Sequence, residues 1–255
     1  MNALLDILAS VRTQARESVG VLRDTVHYTL RSPWDFAAIR QQLFLVGNRS
    51  LVFVLLTLGF LGAITSLQAG FQARRIIGDT SLIGQQLLPL LVRQLGPTLA
   101  GLMVATRVGT GIAAEIGSMV VTEQVDALRM CNAPPVDYLV KPRFLACLVM
   151  LPVLVIFGIS SAFLAAMAVA ASVFQTPPAV FATLDFVSLI DLAEGMTKAL
   201  AYGASIPIIA GAAGLAARGG SEGVGEATTR AVVSASLAVI VLDFVIGGAA
   251  FLVRT

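Results

Sequence analysis

Residues 50–73, SLVFVLLTLGFLGAITSLQAGFQA, run from Arg49 to Arg74 without a single charged side chain. At about 1.5 Å of rise per residue, a helix of this length crosses the ~30 Å hydrocarbon layer of a bilayer. A backbone in lipid must satisfy its own polar groups, so the run selects a helical span. Composition agrees, since 57% of the 255 residues are hydrophobic and 13% are charged, whereas a soluble domain is about a quarter charged. Four more runs follow. Residues 82–106 hold Arg93, Pro89 and Pro97; residues 144–174 are uncharged, hold Pro152 and exceed one crossing; residues 199–217 hold Pro207; residues 231–253 carry Asp243. These patterns predict an all-α integral membrane protein with five transmembrane helices and its termini on opposite sides.

The N-terminal 30 residues are different. Leu4, Leu8, Val11, Ala15, Val19, Leu22 and Val26 recur at spacings of three and four, with Arg12, Arg16, Glu17, Arg23 and Asp24 between them. That is an amphipathic helix, either lying in the membrane interface or packed on a partner. No short apolar core with a small-residue cleavage site marks it as a removable signal. Ser32-Pro33-Trp34-Asp35 predicts a new helix start with Ser32 as cap and Pro33 in the first turn. The chain thus divides into amphipathic interfacial helices over 1–48 and a transmembrane domain over 49–255.

Of the 17 Lys and Arg, only Arg74, Arg75, Arg93, Lys198 and Arg254 fall on the side opposite the N-terminus. The positive-inside rule then puts the N-terminus and segment 107–143 in the cytoplasm, and the C-terminus outside. Cys131 and Cys147 have no metal-ligand spacing with the lone His27 and read as inert packing residues. Residues 109–114, GTGIAA, fit a loose dinucleotide pattern but follow no strand, and no P-loop or serine-hydrolase motif occurs. The chain is expected to bind no cofactor and no nucleic acid, and to catalyse nothing by itself. Pro97, Gly101, Ala105, Gly109, Ala113 and Gly117 recur every four residues and form a smooth ridge. Either a helix of the same chain or a second copy fits against it.

Residues 107–130, RVGTGIAAEIGSMVVTEQVDALRM, concentrate charge between apolar runs. Over about 114–131 a short amphipathic helix is predicted, with Ile116, Met119, Val120, Val125 and Leu128 on its apolar side and Glu123, Gln124 and Asp126 exposed. Asn132-Ala133-Pro134-Pro135 ends it.

The stretch LVRQLGPTLAGLMVATRVGTGIAAEIGSMVVTEQVDALRM, the KPRF that follows, and the tail ATTRAVVSASLAVIVLDFVIGGAAF resemble the MlaE/YrbE family, membrane permeases of bacterial ABC systems that move phospholipids between the inner and outer membranes. The resemblance covers nearly the whole chain. It implies an inner-membrane permease that helps maintain outer-membrane lipid asymmetry, works as a homodimer with a cytoplasmic ABC ATPase (MlaF-like) that binds the ATP, and meets a periplasmic MCE-domain protein (MlaD-like). Many such systems add a STAS-domain protein (MlaB-like). It also implies that Glu115, Gly117, Met119, Glu123, Gln124 and Asp126 belong to a coupling helix seated on the ATPase. Members often carry Arg-Glu-Leu-Gly-Pro where this chain has Arg93-Gln94-Leu95-Gly96-Pro97.

If a dimer encloses a lipid cavity, its walls are expected from residues 58–67, 91–99 and 244–251, with Leu61, Leu91, Leu95 and Val245 as apolar contacts. Arg93 and Gln94 are the nearest groups for a lipid phosphate, although Arg93 could instead snorkel to the interface. Asp243 is costly within a span unless paired. It is expected to be structural, bound to an arginine or to helix-end groups; the alternative is a proton relay in an ion-coupled transporter. A membrane scaffold that transports nothing is a further rival.

Overall fold

The computed structural model describes residues 2–76, 83–181 and 187–254, and every element among them is helical. Helix α1 (Asn2–Arg31) precedes α2 (Phe36–Ile76). A long rod follows, made of α3 (Ile83–Leu90), α4 (Gly96–Val104) and α5 (Thr110–Val121), joined through π-helical turns at Leu91–Leu95 and Ala105–Gly109. Then come α6 (Gln124–Met130), a π turn at Val136–Val140, α7 (Lys141–Phe174), α8 (Pro178–Phe181), α9 (Leu189–Leu215) and α10 (Gly220–Arg254). Five helical stretches are long and apolar enough to cross a membrane, as the apolar runs predict. The residue expected to open the second span, Leu82, lies outside the described residues.

Helices extend past the apolar runs. The 41 residues of α2 include Arg40 and Arg49 and measure about 60 Å, twice the hydrocarbon thickness. Its cap is Asp35, not Ser32: the Asp35 Oδ1 accepts from the N–H groups of Ala37 and Ala38 at 3.0 and 3.1 Å. Ser32 is otherwise engaged, its hydroxyl donating to Asp137 Oδ2 at 2.7 Å. A carboxylate suits this position because it accepts two orphan N–H groups at the positive end of the helix dipole.

The packing has two apolar centres. One joins Val54 and Leu58 of α2, Leu91, Val104, Leu151 and Leu154 of α7, Tyr202 and Ile206 of α9 and Val239 of α10. The other lies toward the segment after α5 and gathers Val46, Ile112, Ile116, Val125, Val140 and Cys147. The ridge of small residues is used within the chain. A side chain at Gly101 would strike the Tyr202 ring, and the face at Gly109 meets Ile206 and Ala210, so α9 fills the groove. Of the two cysteines only Cys147 is buried; Cys131 is exposed at the end of α6.

Helix α1 rests against α9 and the Val136–Val140 turn, with Thr25 buried. Its apolar stripe is incompletely covered: Val19, Leu22 and Val26 are exposed, and Val19 and Leu22 border an open apolar cleft with Ala201 and Ala204 of α9 and Leu242 of α10. The side chains of Leu4, Leu8, Val11 and Ala15 lie outside the described residues.

Candidate functional site

Two groups of charged residues stand at different depths. The first is enclosed between the α3–α5 rod, α9 and α10. Ser188 and Asp191 form a reciprocal cap that starts α9. Nine residues after Leu189 the helix carries Lys198, which is fully buried, with Glu194 one turn earlier on the same face. The Lys198 ammonium lies 3.1 Å from Glu194 Oε1 and 2.9 Å from Asp243 Oδ1 of α10, and donates to Gln94 Oε1 at 2.7 Å. It also donates to the main-chain oxygen of Arg93 at 3.2 Å. That oxygen has a reason to be available, because in an α-helix it would accept the N–H that Pro97 lacks.

Asp243 is held from several sides. Gln94 Nε2 donates to its Oδ2 at 2.6 Å, while Thr98 Oγ1 and Tyr202 Oη donate to its Oδ1 at 2.9 and 3.0 Å. The amide at position 94 faces both ways: its oxygen accepts from the lysine and its nitrogen donates to the carboxylate, a bridge that an ionised Glu could not make. A Glu there would also set three carboxylates against one ammonium. Close approach of α9 makes the cluster possible, since a Cβ at Gly195 would lie 2.5 Å from the Val92 oxygen.

Asp243 is therefore paired, and its cation is a lysine of α9 and not an arginine. Lys198 is the residue that sequence reasoning missed. Starting the fourth span at Ala199 treated the charge as a boundary, whereas α9 begins at Leu189 and takes it inside. The usable signals were the unpaired Asp243 and the Glu194–Lys198 spacing of four residues, which stacks the two on one helix face.

The second group lies where the rod leaves the apolar core. Helix α5 continues to Val121 and then breaks: Glu123 takes a left-handed backbone with φ of 60°, and α6 restarts at Gln124. The single helix expected over 114–131 is thus two. Glu115, Gly117 and Met119 belong to α5, and Gln124 and Asp126 to α6. Val125 is buried and Leu128 packs beside it against the second apolar centre, while Glu123, Gln124 and Asp126 are exposed. Arg143 of α7, itself buried, pairs with the half-exposed Glu115 at 2.8 Å and donates to the Leu139 oxygen. Lys141 reaches Asp137 at 2.5 Å and the Pro33 oxygen at 3.1 Å, fastening the α1–α2 elbow to the start of α7.

The residues expected to meet lipid do not share one environment. Leu91 is fully buried in the first apolar centre; Leu61 and Leu95 pack against its edge; Val245 is 57% exposed on α10 beside Phe244. Gln94 is committed to the buried cluster, and Arg93 is half-buried. Among the described residues no group of three His, Cys, Asp or Glu gathers to hold a metal.

The family model described as Permease MlaE matches residues 39–248. A probable ABC transporter permease protein of Synechocystis is 39% identical over 208 residues, covering 80% of this chain and 78% of that protein. One from Rickettsia typhi is 37% identical over 221 residues, 85% and 84% of the two chains. Another, from Pyropia yezoensis, is 33% identical over 81% of this chain and 79% of its own.

Proposed function

The chain belongs to the MlaE permease family, and on that premise we propose that it is the membrane subunit through which a partner ATPase moves phospholipid between the inner and outer membranes of a bacterium. As an ABC transporter permease it works with an ATPase. In the proposed assembly two copies pair in the inner membrane, with N-termini cytoplasmic and C-termini periplasmic. A cytoplasmic MlaF-like ATPase binds and splits the ATP, an MlaD-like MCE-domain protein receives or delivers lipid outside, and an MlaB-like STAS-domain protein is a further subunit. The permease contributes no catalytic residue.

The observation that carries this reading is α6. A helix of seven residues gains little stability alone, yet this one is anchored by buried Val125 and presents Glu123, Gln124 and Asp126 outward. Exposed carboxylates on a fixed platform suit docking to a soluble partner, because charge complementarity sets register and on-rate. Leu61 and Leu95, at the edge of the first apolar centre, and the exposed Phe244 and Val245 offer apolar surface to acyl chains, at about 25 cal/mol per Å² buried.

The test is co-purification with the ATPase followed by ATP-dependent phospholipid transfer between liposomes. A stable complex with transfer supports the assignment, and ATPase association without any lipid movement overturns it. Photo-crosslinkers at Leu61 and Val245 are expected to capture more phospholipid than one at the exposed Leu164 of α7. Equal capture at all three would mean bulk bilayer contact and no dedicated cavity.

A further inference from the structure

The end of the molecule that carries α6 holds a pocket of about 290 Å³ between α2 and the rod, well away from the Lys198 cluster. Gln42, Arg49 and Ser50 line it from α2, and Arg107, Gly111 and Glu115 from the rod. Neither Arg49 nor Arg107 has an ion-pair partner among the described residues, whereas Glu115 is already neutralised by Arg143. Ser50 is 2% exposed and its hydroxyl has no hydrogen-bond partner among the described residues. Such a group is costly to leave unsatisfied. Two free guanidinium groups, an unused buried hydroxyl and an amide therefore surround one concavity that carries net positive charge.

Depth identifies the ligand. Arg49 is the last charge before the uncharged run 50–73, and Arg107 is the first charge after Arg93 in the rod. Both stand where hydrocarbon gives way to headgroups, the level at which phosphodiesters lie. Guanidinium groups match phosphate oxygens with paired hydrogen bonds. We infer that this pocket is a binding site for the phosphate of one membrane phospholipid, clamped by Arg49 and Arg107 with Ser50 and Gln42 as further donors. The site is separate from the cavity of the proposed transport path, and it holds whether or not that path is correct. It bridges α2 and α5 beside Glu115, so the bound lipid ties the first span to the segment that leads into α6.

Gly111 supplies a test that leaves every charge in place. A Cβ there meets nothing within 4 Å, so Gly111→Ala is expected to be silent and Gly111→Leu to fill the pocket. Native mass spectrometry of the full chain in detergent, titrated with phosphatidylglycerol, reads the occupancy. Wild type and Gly111→Ala are expected to retain one tightly bound lipid per chain; Arg107→Gln and Gly111→Leu are expected to bind it about tenfold more weakly. Arg40→Gln, on the same helix but outside the pocket, is the control and is expected to bind as wild type does. Unchanged occupancy in Arg107→Gln and Gly111→Leu, or an equal loss in Arg40→Gln, overturns the site in favour of general attraction to anionic lipid. Diacylglycerol, which lacks the phosphate, is expected to leave the site empty, and retention at equal strength overturns the role of the phosphate. Displacement of the lipid by low-millimolar inorganic phosphate would make the ligand a free anion and overturn the lipid assignment. A melting temperature matching wild type in each variant keeps a loss of binding distinct from a loss of fold.

Discussion

The Lys198 cluster and the α6 segment use the same kinds of side chain to opposite ends. Around Lys198 every charge is turned inward and met by another group of the chain: one ammonium, two carboxylates, an amide and two hydroxyls close on one another between three helices. At α6 the carboxylates of Glu123 and Asp126 face outward, and the ion pair found there among the described residues, Asp126 with Arg129, is 61% exposed on both sides. Desolvation makes the difference. A buried charge without its partner is expensive, so the first cluster must be complete within the chain. Water supports the second, which leaves it available to another protein.

The sharpest way to break the comparison is Lys198→Met. It strands Asp243 and Glu194 in an apolar setting and is expected to cost about 3–5 kcal/mol, seen as a sharp fall in membrane yield and melting temperature. A near wild-type melt would show that the cluster is not closed. Gly195→Ala comes next, at about 1–3 kcal/mol, because its Cβ presses on the Val92 oxygen and pushes α9 from the rod; thermal melting in detergent measures it. Glu123→Lys, if α6 is the docking element, is expected to leave melting unchanged while weakening ATPase association about tenfold. Unaltered complex yield and hydrolysis would remove α6 from that role. Glu115→Gln keeps a weaker acceptor for Arg143 and is expected to cost about 1 kcal/mol. Smallest of all, Asp126→Asn should shift stability by under about 0.5 kcal/mol, and a larger loss would mean that this exposed pair carries structural load.

Much of the fold was legible because the bilayer is a demanding solvent. Long apolar runs have one economical solution even where Arg93 or Asp243 interrupts them, and all five spans follow from it. Helix ends were harder to read. Arg40 and Arg49 sit inside α2 because a helix continues through the interface whenever its outer turns find water or a neighbour. Asp243 was readable as a problem, but its solution was not: the lysine that meets it lies 45 residues earlier on another helix, and no local pattern encodes that distance. The role of Pro97 was hidden in the same way, since the oxygen it frees at Arg93 gains meaning only once α9 brings Lys198 beside it. The break at Glu123 left no trace either, as glycine or asparagine usually marks a left-handed residue.

That break decides how a push on α6 would travel. A continuous helix behaves as a piston, its hydrogen-bond ladder passing displacement along the axis. Here the ladder stops: the Glu123 N–H turns back to the Val120 oxygen at 3.1 Å, and α6 sets off afresh with Ala127 bonded to the Glu123 oxygen at 3.0 Å. The two helices meet as a knuckle, with Val125 and Leu128 bearing on the surface that Met119 and Val120 help to form. If α6 is the docking element, its rotation about this joint would lever sideways on α5 and, through Glu115 and Arg143, on α7. The stroke delivered to the bundle would then be a tilt between helices and not a thrust along one of them.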